Sequence, residues 1–553
     1  MELNVMGRDP IVEEKDIDKT KDKDLPTDFD LPEGIEFKDI AEEFSGPSSE
    51  AGPITPEAIP QLEETYPLIP PFAYTLIQTD PDTNQTRYMV VEVPLSEEET
   101  TTFNMIREIL TEELELDFTL LRDKEKTDEY LKQTIMRIIR DYAIKLDERS
   151  LDKIVYYITR DYIGFGTLEP LLRDHMIEDI SCDGVGVPIY IWHRKYDSIP
   201  TNILYGEDKD LDSVVIKMAQ RAGRHISIAS PLLDASLPDG SRVQLTLGRE
   251  VTQKGSTFTI RKFRADPLTI TDLIMFNTLS VEMAAYLWFC IENRHSALIA
   301  GGIASGKTTL LNSLSMFILP DLKIISIEDT AELNIPHENW IPSVARTGFG
   351  AEKAGRKRGQ ITLFDLLKAA LRQRPDYILV GEIRGEEAYS LFQAMATGHL
   401  GMATIHGDSV ASVMHRLTSE PMNIPRALLA SLDIVVVQRK IRYGGKSIRR
   451  SIILQEMIGL DPVTRELLTN RAFVWNAQDD SHQYLGRSVI LEKIMDATGM
   501  SERDIWDEIE RRKIILRWMV KNRIRYYEDV ANVIREYVSV PEETYEKARR
   551  GLT

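Results

Sequence analysis

Residues 296–314 read SALIAGGIASGKTTLLNSL. An apolar run at 297–300 enters a loop whose residues 301–308 fit the pattern G-x-x-x-x-G-K-T, and Leu310, Leu311, Leu314, Phe317 and Ile318 then recur at helical spacing. Strand, glycine-rich turn and helix in that order have a physical use. Gly301, Gly302 and Gly306, with Ala304 and Ser305 between them, let the backbone turn its N–H groups toward a phosphate, and the helix N-terminus adds positive potential. Lys307 is then placed to reach the outer phosphates and Thr308 to ligate magnesium, with Thr309 beside them. A glycine-rich turn that binds nothing would have no use for a lysine at that point. The stretch predicts an α/β fold that handles a nucleoside triphosphate with Mg2+.

Such a loop needs acidic groups from neighbouring strand ends to manage the metal and the attacking water. Two segments offer them. Residues 324–327 form an apolar strand pattern that stops in Glu328, Asp329 and Glu332, and residues 377–380 form another that ends near Glu382. The plainer reading of each is a carboxylate that caps a helix. A third segment, 397–409, sets His399 and His406 on either side of a short strand, and imidazole can sense or neutralise phosphate charge. Two loop histidines by themselves are more often structural. No cysteine lies near them, which argues against zinc.

Across the whole chain of 553 residues the formal net charge is -21, and residues 1–66 carry 19 Asp and Glu against 6 Lys and Arg, leaving -8 for the rest. The first 64 residues therefore read as an acidic, disordered tail, and this balance argues against nucleic acid as the main partner. Two cysteines, Cys182 and Cys290, give neither a disulfide framework nor a four-cysteine zinc site. No run approaches the length of a membrane-spanning helix, so any membrane role is expected to be peripheral. Helical spacing at 96–117 and 128–162, strand patterns at 177–181 and 188–192 and a helix at 211–224 place an α+β domain at 65–265. Arg242 and Arg261 lie on or beside alternating strands near its end. Residues 266–268 read as a hinge linker. From 269 onward short apolar runs at 297–300, 324–327, 377–380, 401–405 and 434–437 alternate with helices, the signature of a mostly parallel sheet, and a helical end begins near 485.

Taken in order, GGIASGKTT, IEDTAE, RPDYILVGEIRG and TGHLGMATIH resemble the four boxes of the type II/type IV secretion ATPases, over roughly residues 230–440. The run AEKAGRKRGQITLFDLLKAALRQRPDYILVGEIRG and the helical ending look like the archaellum motor ATPase branch. The resemblance implies that the nucleotide is ATP, and it implies a RecA-like P-loop NTPase C-terminal domain at 269–553, a preceding N-terminal domain and a homo-hexameric ring at the cytoplasmic face of a membrane. Its partners would be a polytopic membrane platform protein and accessory motor proteins, with no nucleic acid. Carried over, Lys307 and Thr308 hold phosphates and magnesium, and Glu332 polarises water. Glu382 supports the metal, Glu328 and Asp329 belong to the nucleotide site, and His399 and His406 monitor the γ-phosphate. Arg242 and Arg261 would be lent to the nucleotide, with Arg264 and Arg346 as further candidates. Thr330 stands where the family usually has proline. An archaeal pilus or secretion ATPase, a nucleotide-gated scaffold without turnover and a nucleic-acid translocase are the alternatives. Intact Glu332 and Glu382 speak against the scaffold and the acidic balance against the translocase, although Arg356, Lys357 and Arg358 form a basic patch.

Overall fold

The computed structural model describes residues 61–80, 83–113, 124–264, 266–346, 348–353, 356–444 and 446–552. The acidic tail lies outside the described residues up to residue 60, as does Ala265 just before the linker. Residues 61–64, read with the tail, instead open the first strand, Gln61–Ile69. Leu68 and Tyr66 anchor it against the apolar core of the sheet it joins.

That sheet has nine strands, in the spatial order Gln61–Ile69, Ala73–Thr79, Thr86–Glu92, Asp197–Leu204, Pro188–His193, Ile177–Cys182, Thr257–Arg261, Arg242–Thr246 and Leu232–Ser236. Most neighbours are antiparallel, and inward residues such as Ile180, Ile191, Val243, Phe258 and Ile260 are fully buried. Three helices, Glu97–Glu113, Lys124–Asp141 and Glu148–Tyr162, form a separate apolar cluster around Ile106, Leu110, Ile135, Ile138, Ile154 and Ile158. The helical pattern at 128–162 is thus split in two. Ala143 takes a positive φ of 50°, which stops the first helix, and Asp147 caps the second by accepting the Ser150 N–H at 2.6 Å.

The second nine-stranded sheet holds the loop. Its order is Trp340–Val344, Ile324–Glu328, Tyr377–Val380, Leu400–His406, Ala297–Gly301 and Ile434–Tyr443, all parallel, followed by antiparallel Lys446–Leu460, Leu467–Asn476 and Ser481–Tyr484. Alternate residues of the parallel strands feed two clusters. Ile299, Leu379 and Met402 face one, and Leu298, Ile378 and Ala403 the other, so both faces are covered by helices and the strands read as continuous apolar runs. The antiparallel extension after residue 446 is not evident from the sequence, because strand Lys446–Leu460 breaks alternation at Arg449-Arg450, Ile452-Ile453-Leu454 and Gln455-Glu456 and shifts register against its neighbour.

Four helices, Val489–Thr498, Glu502–Lys521, Tyr527–Ser539 and Pro541–Leu552, close the chain. Glu502–Lys521 packs on Val281–Glu292, the long buried helix that precedes the loop strand. Between them Arg512, 2% exposed, bonds Glu292 and Glu508 and lies against the rings of Trp288, Phe289 and Tyr537. A buried guanidinium is tolerated only when paired in this way.

Candidate nucleotide site

All five residues from Ala297 to Gly301 are buried, so the strand delivers the loop to the carboxyl edge of the parallel sheet. Gly301 must be glycine: a Cβ there would stand 2.3 Å from Ser305 Oγ and 2.6 Å from the Gln438 carbonyl. Gly306, the N-cap of helix Lys307–Ser315, takes a φ of 91°, a conformation that favours glycine. Ser305 is buried and its hydroxyl donates to the Gly302 carbonyl at 2.9 Å. Lys307 Nζ donates to the same carbonyl, also at 2.9 Å, and bridges the loop mouth. Burial lowers the Lys307 pKa, and the nearby carboxylates of Glu382 and Glu332 oppose that shift. Lysine and two acids from three separate segments therefore lie within electrostatic reach of one another. Thr308 and Thr309 lie half-buried in the first helical turn.

Sheet order explains the convergence. Strand Leu400–His406 is inserted between the loop strand and strand Tyr377–Val380, with His406 in register beside Gly301. Its Thr404 hydroxyl donates to the Gly381 carbonyl at 2.5 Å, and the Gly381 N–H donates to the Ile327 carbonyl at 2.9 Å. The turn that carries Glu382 is thereby tied to both neighbours. Arg384 stands between Asp329, at 2.5 Å, and Glu382, at 3.5 Å. Glu387, 8% exposed, accepts the backbone N–H groups of Arg384 and Gly385 at 2.6 and 2.7 Å.

The remaining expected residues fall into distinct settings. Glu332 is exposed at the loop mouth, whereas Glu328 is 2% exposed and accepts the N–H groups of Glu332 and Leu333, each at 3.0 Å. Burial pushes the Glu328 carboxyl up to about 7. Glu328 thus acts on the site by shaping the turn that presents Glu332. His399 is not brought to the loop. It precedes strand Leu400–His406 at the opposite edge of the sheet, about 20 Å from His406 at the usual rise per residue. Arg242 borders a cavity of about 670 Å³ that Arg224, Asp329, Thr330, Arg346 and Arg384 also line, while Arg261, paired with Arg242 across the strands, bonds Asp179 at 3.2 Å. Arg346 is engaged with the Gly359 carbonyl at 2.8 Å. Burial lowers the Arg264 guanidinium to about 10.

Among the described residues no group of three or more His, Cys, Asp or Glu side chains is arranged to hold a metal ion. Magnesium in such sites comes with the phosphates of its nucleotide and takes only one or two protein ligands, for which Thr308 and Glu382 have the right oxygen donors. Sequence reasoning did not single out Glu387, Arg384 or Thr404. For Glu387 a signal existed, an acid in the first turn of helix Glu386–Ala396. The other two become visible only once the strand order is known.

A parallel sheet with a phosphate loop at its carboxyl edge and acids on two adjoining strand ends defines a P-loop nucleotide-binding protein. The sequence model of the Type II/IV secretion system protein family matches residues 163–538, and the chain belongs to that family. Among relatives, an uncharacterized protein of Methanocaldococcus jannaschii, MJ0900, is 40% identical over 422 residues, 75% of this chain and 74% of its own. The type IV secretion system protein PtlH of Bordetella pertussis is 32% identical over 44% of this chain and 79% of its own. The crystal structure of the VirB11 ATPase from the Brucella suis type IV secretion system is 25% identical, covering 52% of this chain and 95% of that one, with a TM-score of 0.26. The pilus retraction motor PilT with bound ADP is 19% identical, covering 61% and 88%, with a TM-score of 0.36. No helix among the described residues is long and apolar enough to cross a membrane.

Proposed function

We propose that the chain is an ATP-hydrolysing motor that works as a homo-hexamer at the cytoplasmic face of a membrane and powers assembly or rotation of an archaellum. The observation that carries the ATPase reading is the phosphate loop at the carboxyl edge of the parallel sheet, with Lys307 on the Gly302 carbonyl and the strands that lead to Glu332 and Glu382 ending at the same edge. With MgATP as substrate, Lys307 exchanges the Gly302 carbonyl for the outer phosphates, and Thr308 and Glu382 serve the magnesium side. Glu332 accepts the proton of a water that attacks the γ-phosphorus. The bond from that phosphorus to the bridging oxygen breaks, and ADP and phosphate leave. Besides Lys307, Arg384, held between Asp329 and Glu382, and Arg242 and Arg261, lent by the N-terminal sheet, serve the developing charge. Loss of the γ-phosphate removes contacts that bridge the two sheets, and this biases a hinge at residues 266–268. A polytopic membrane platform protein and accessory motor proteins receive that movement.

Purified Lys307→Ala is expected to release phosphate at least roughly 100-fold more slowly than the wild type. Wild-type turnover in that variant would sink the reading. The family name and the secretion-system relatives favour a second cargo, a pilus or secretion machine with the same chemistry. A gene deletion that abolishes swimming and spares surface pili supports the archaellum, and the converse supports the pilus.

A further inference from the structure

Ala304, at the turn of the phosphate loop, holds a positive φ of 55°, and its carbonyl accepts a hydrogen bond from Arg449 Nε at 3.0 Å. The same side chain covers Gly306, where a Cβ would stand 3.5 Å from Arg449 Cδ. Arg449 belongs to strand Lys446–Leu460, 145 residues beyond the loop, and to none of the four sequence boxes. Its other end faces the N-terminal sheet: Nη2 is 3.8 Å from Oε2 of Glu178 on strand Ile177–Cys182. Lys440, in register with Arg449, reaches that sheet too, with Nζ 3.6 Å from Asp197 and 4.5 Å from the centre of the Trp192 ring. Two residues earlier, Gln438 lies beside Gly301. One hairpin therefore flanks the loop strand and reaches the N-terminal sheet at two points.

We infer that Arg449 is a positioning residue for the phosphate loop and that Glu178 gives the N-terminal sheet a hold on it, so the docking of that sheet sets nucleotide affinity. The inference rests on reading the loop as the ATP site. A non-glycine residue at positive φ persists only where its surroundings hold it, and a hydrogen bond from a charged donor holds a carbonyl more firmly than a neutral one. The planar guanidinium can serve two acceptors at fixed angles, as an ammonium cannot. When the N-terminal sheet moves away, Glu178 leaves, the guanidinium loses one of its two anchors and Ala304 is held less well. Glu178 and Arg449 are both partly exposed, so the effect of Glu178 is the smaller of the two.

The test uses the full chain, with steady-state phosphate release and the binding of a fluorescent ATP analogue measured on the same variants. Arg449→Ala should raise KM and Kd roughly five- to tenfold with kcat within about twofold, and Arg449→Lys should recover only part of that loss. Glu178→Gln, on the surface and out of contact with the loop, should raise KM roughly twofold alone and not at all in the Arg449→Ala background. Unchanged KM and Kd in Arg449→Ala, or a Glu178→Gln shift that persists without Arg449, overturns the inference. Lys307→Ala, run alongside, decides the ATP-site reading separately.

Discussion

The two edges of the parallel sheet carry similar side chains and put them to different uses. At the amino edge Asp376 accepts the Lys323 N–H at 2.8 Å, and Asp433 accepts the Ser296 N–H at 2.9 Å while its other oxygen lies 3.2 Å from His295. These acids are spent on the backbone. At the carboxyl edge Glu328 is spent likewise, but Glu332, Asp329 and Glu382 follow their strands on turns and face Lys307 or Arg384. Parallel strands run so that every loop after a strand opens at one edge, and there flexible turns can offer charge to a ligand. At the other edge the chain is entering the sheet and its carboxylates fix register. Position along the strand, not residue type, separates chemistry from structure.

Removing one acid from each edge is the strongest way to break this contrast. Glu332→Gln is expected to cut kcat by about 100- to 1000-fold while leaving nucleotide affinity near wild type, the effect of losing a base that acts only in the reaction. Asp376→Ala should leave kcat within about twofold and cost ~1–3 kcal/mol of stability, because the Lys323 N–H loses its acceptor. Phosphate release and thermal melting on both proteins separate the outcomes. Equal losses of kcat would erase the distinction between the edges.

Glu328 sharpens the comparison from within the carboxyl edge. Its carboxyl is raised from 4.5 to about 7 by burial, so the folded chain binds this proton more tightly than the unfolded one. The stabilisation is complete below pH 4.5 and lost as pH climbs through 7, amounting to ~3 kcal/mol between those limits. Glu328→Gln keeps an oxygen for the Glu332 and Leu333 N–H groups and cannot titrate. Its melting temperature should therefore gain on the wild type as pH rises from 5 to 8. Parallel pH curves for the two proteins would show that the carboxyl is not held neutral by its surroundings.

Much of this was legible in the sequence. The loop, its strand and its helix follow from local pattern, since glycine at 301 and 306 answers backbone needs that are settled within a few residues. The apolar runs of the parallel strands announce burial on both faces. What could not be read is what depends on strand order. Sequence puts Glu382 at the carboxyl end of its strand but does not say that Arg384 and Asp329 meet beside it, and nothing links Arg449 to Ala304 across 145 residues. The short strand Trp340–Val344 is missed for a related reason: it is half exposed and carries Pro342, and only the edge position it occupies makes that acceptable.

The histidines give the comparison its finest test, because they stand at the two ends of one strand. His406 lies in register beside Gly301, and its carbonyl is held by Arg416 at 3.2 Å, so its backbone is fixed next to the loop. His399 lies at the other edge, where its backbone N–H bonds the Ala394 carbonyl at 3.0 Å and its buried Nδ1 has no partner. An imidazole that contacts the γ-phosphate or its water is worth about one hydrogen bond to a charged group, so His406→Ala should lower kcat roughly tenfold. His399→Ala should leave kcat and KM within about twofold, since His399 stands at the amino end of the strand, away from the phosphate loop. A charge or contact effect falls off too steeply to act directly over about 20 Å. If His399→Ala proved as costly as His406→Ala while melting normally, the strand itself would have to carry nucleotide state from one edge to the other.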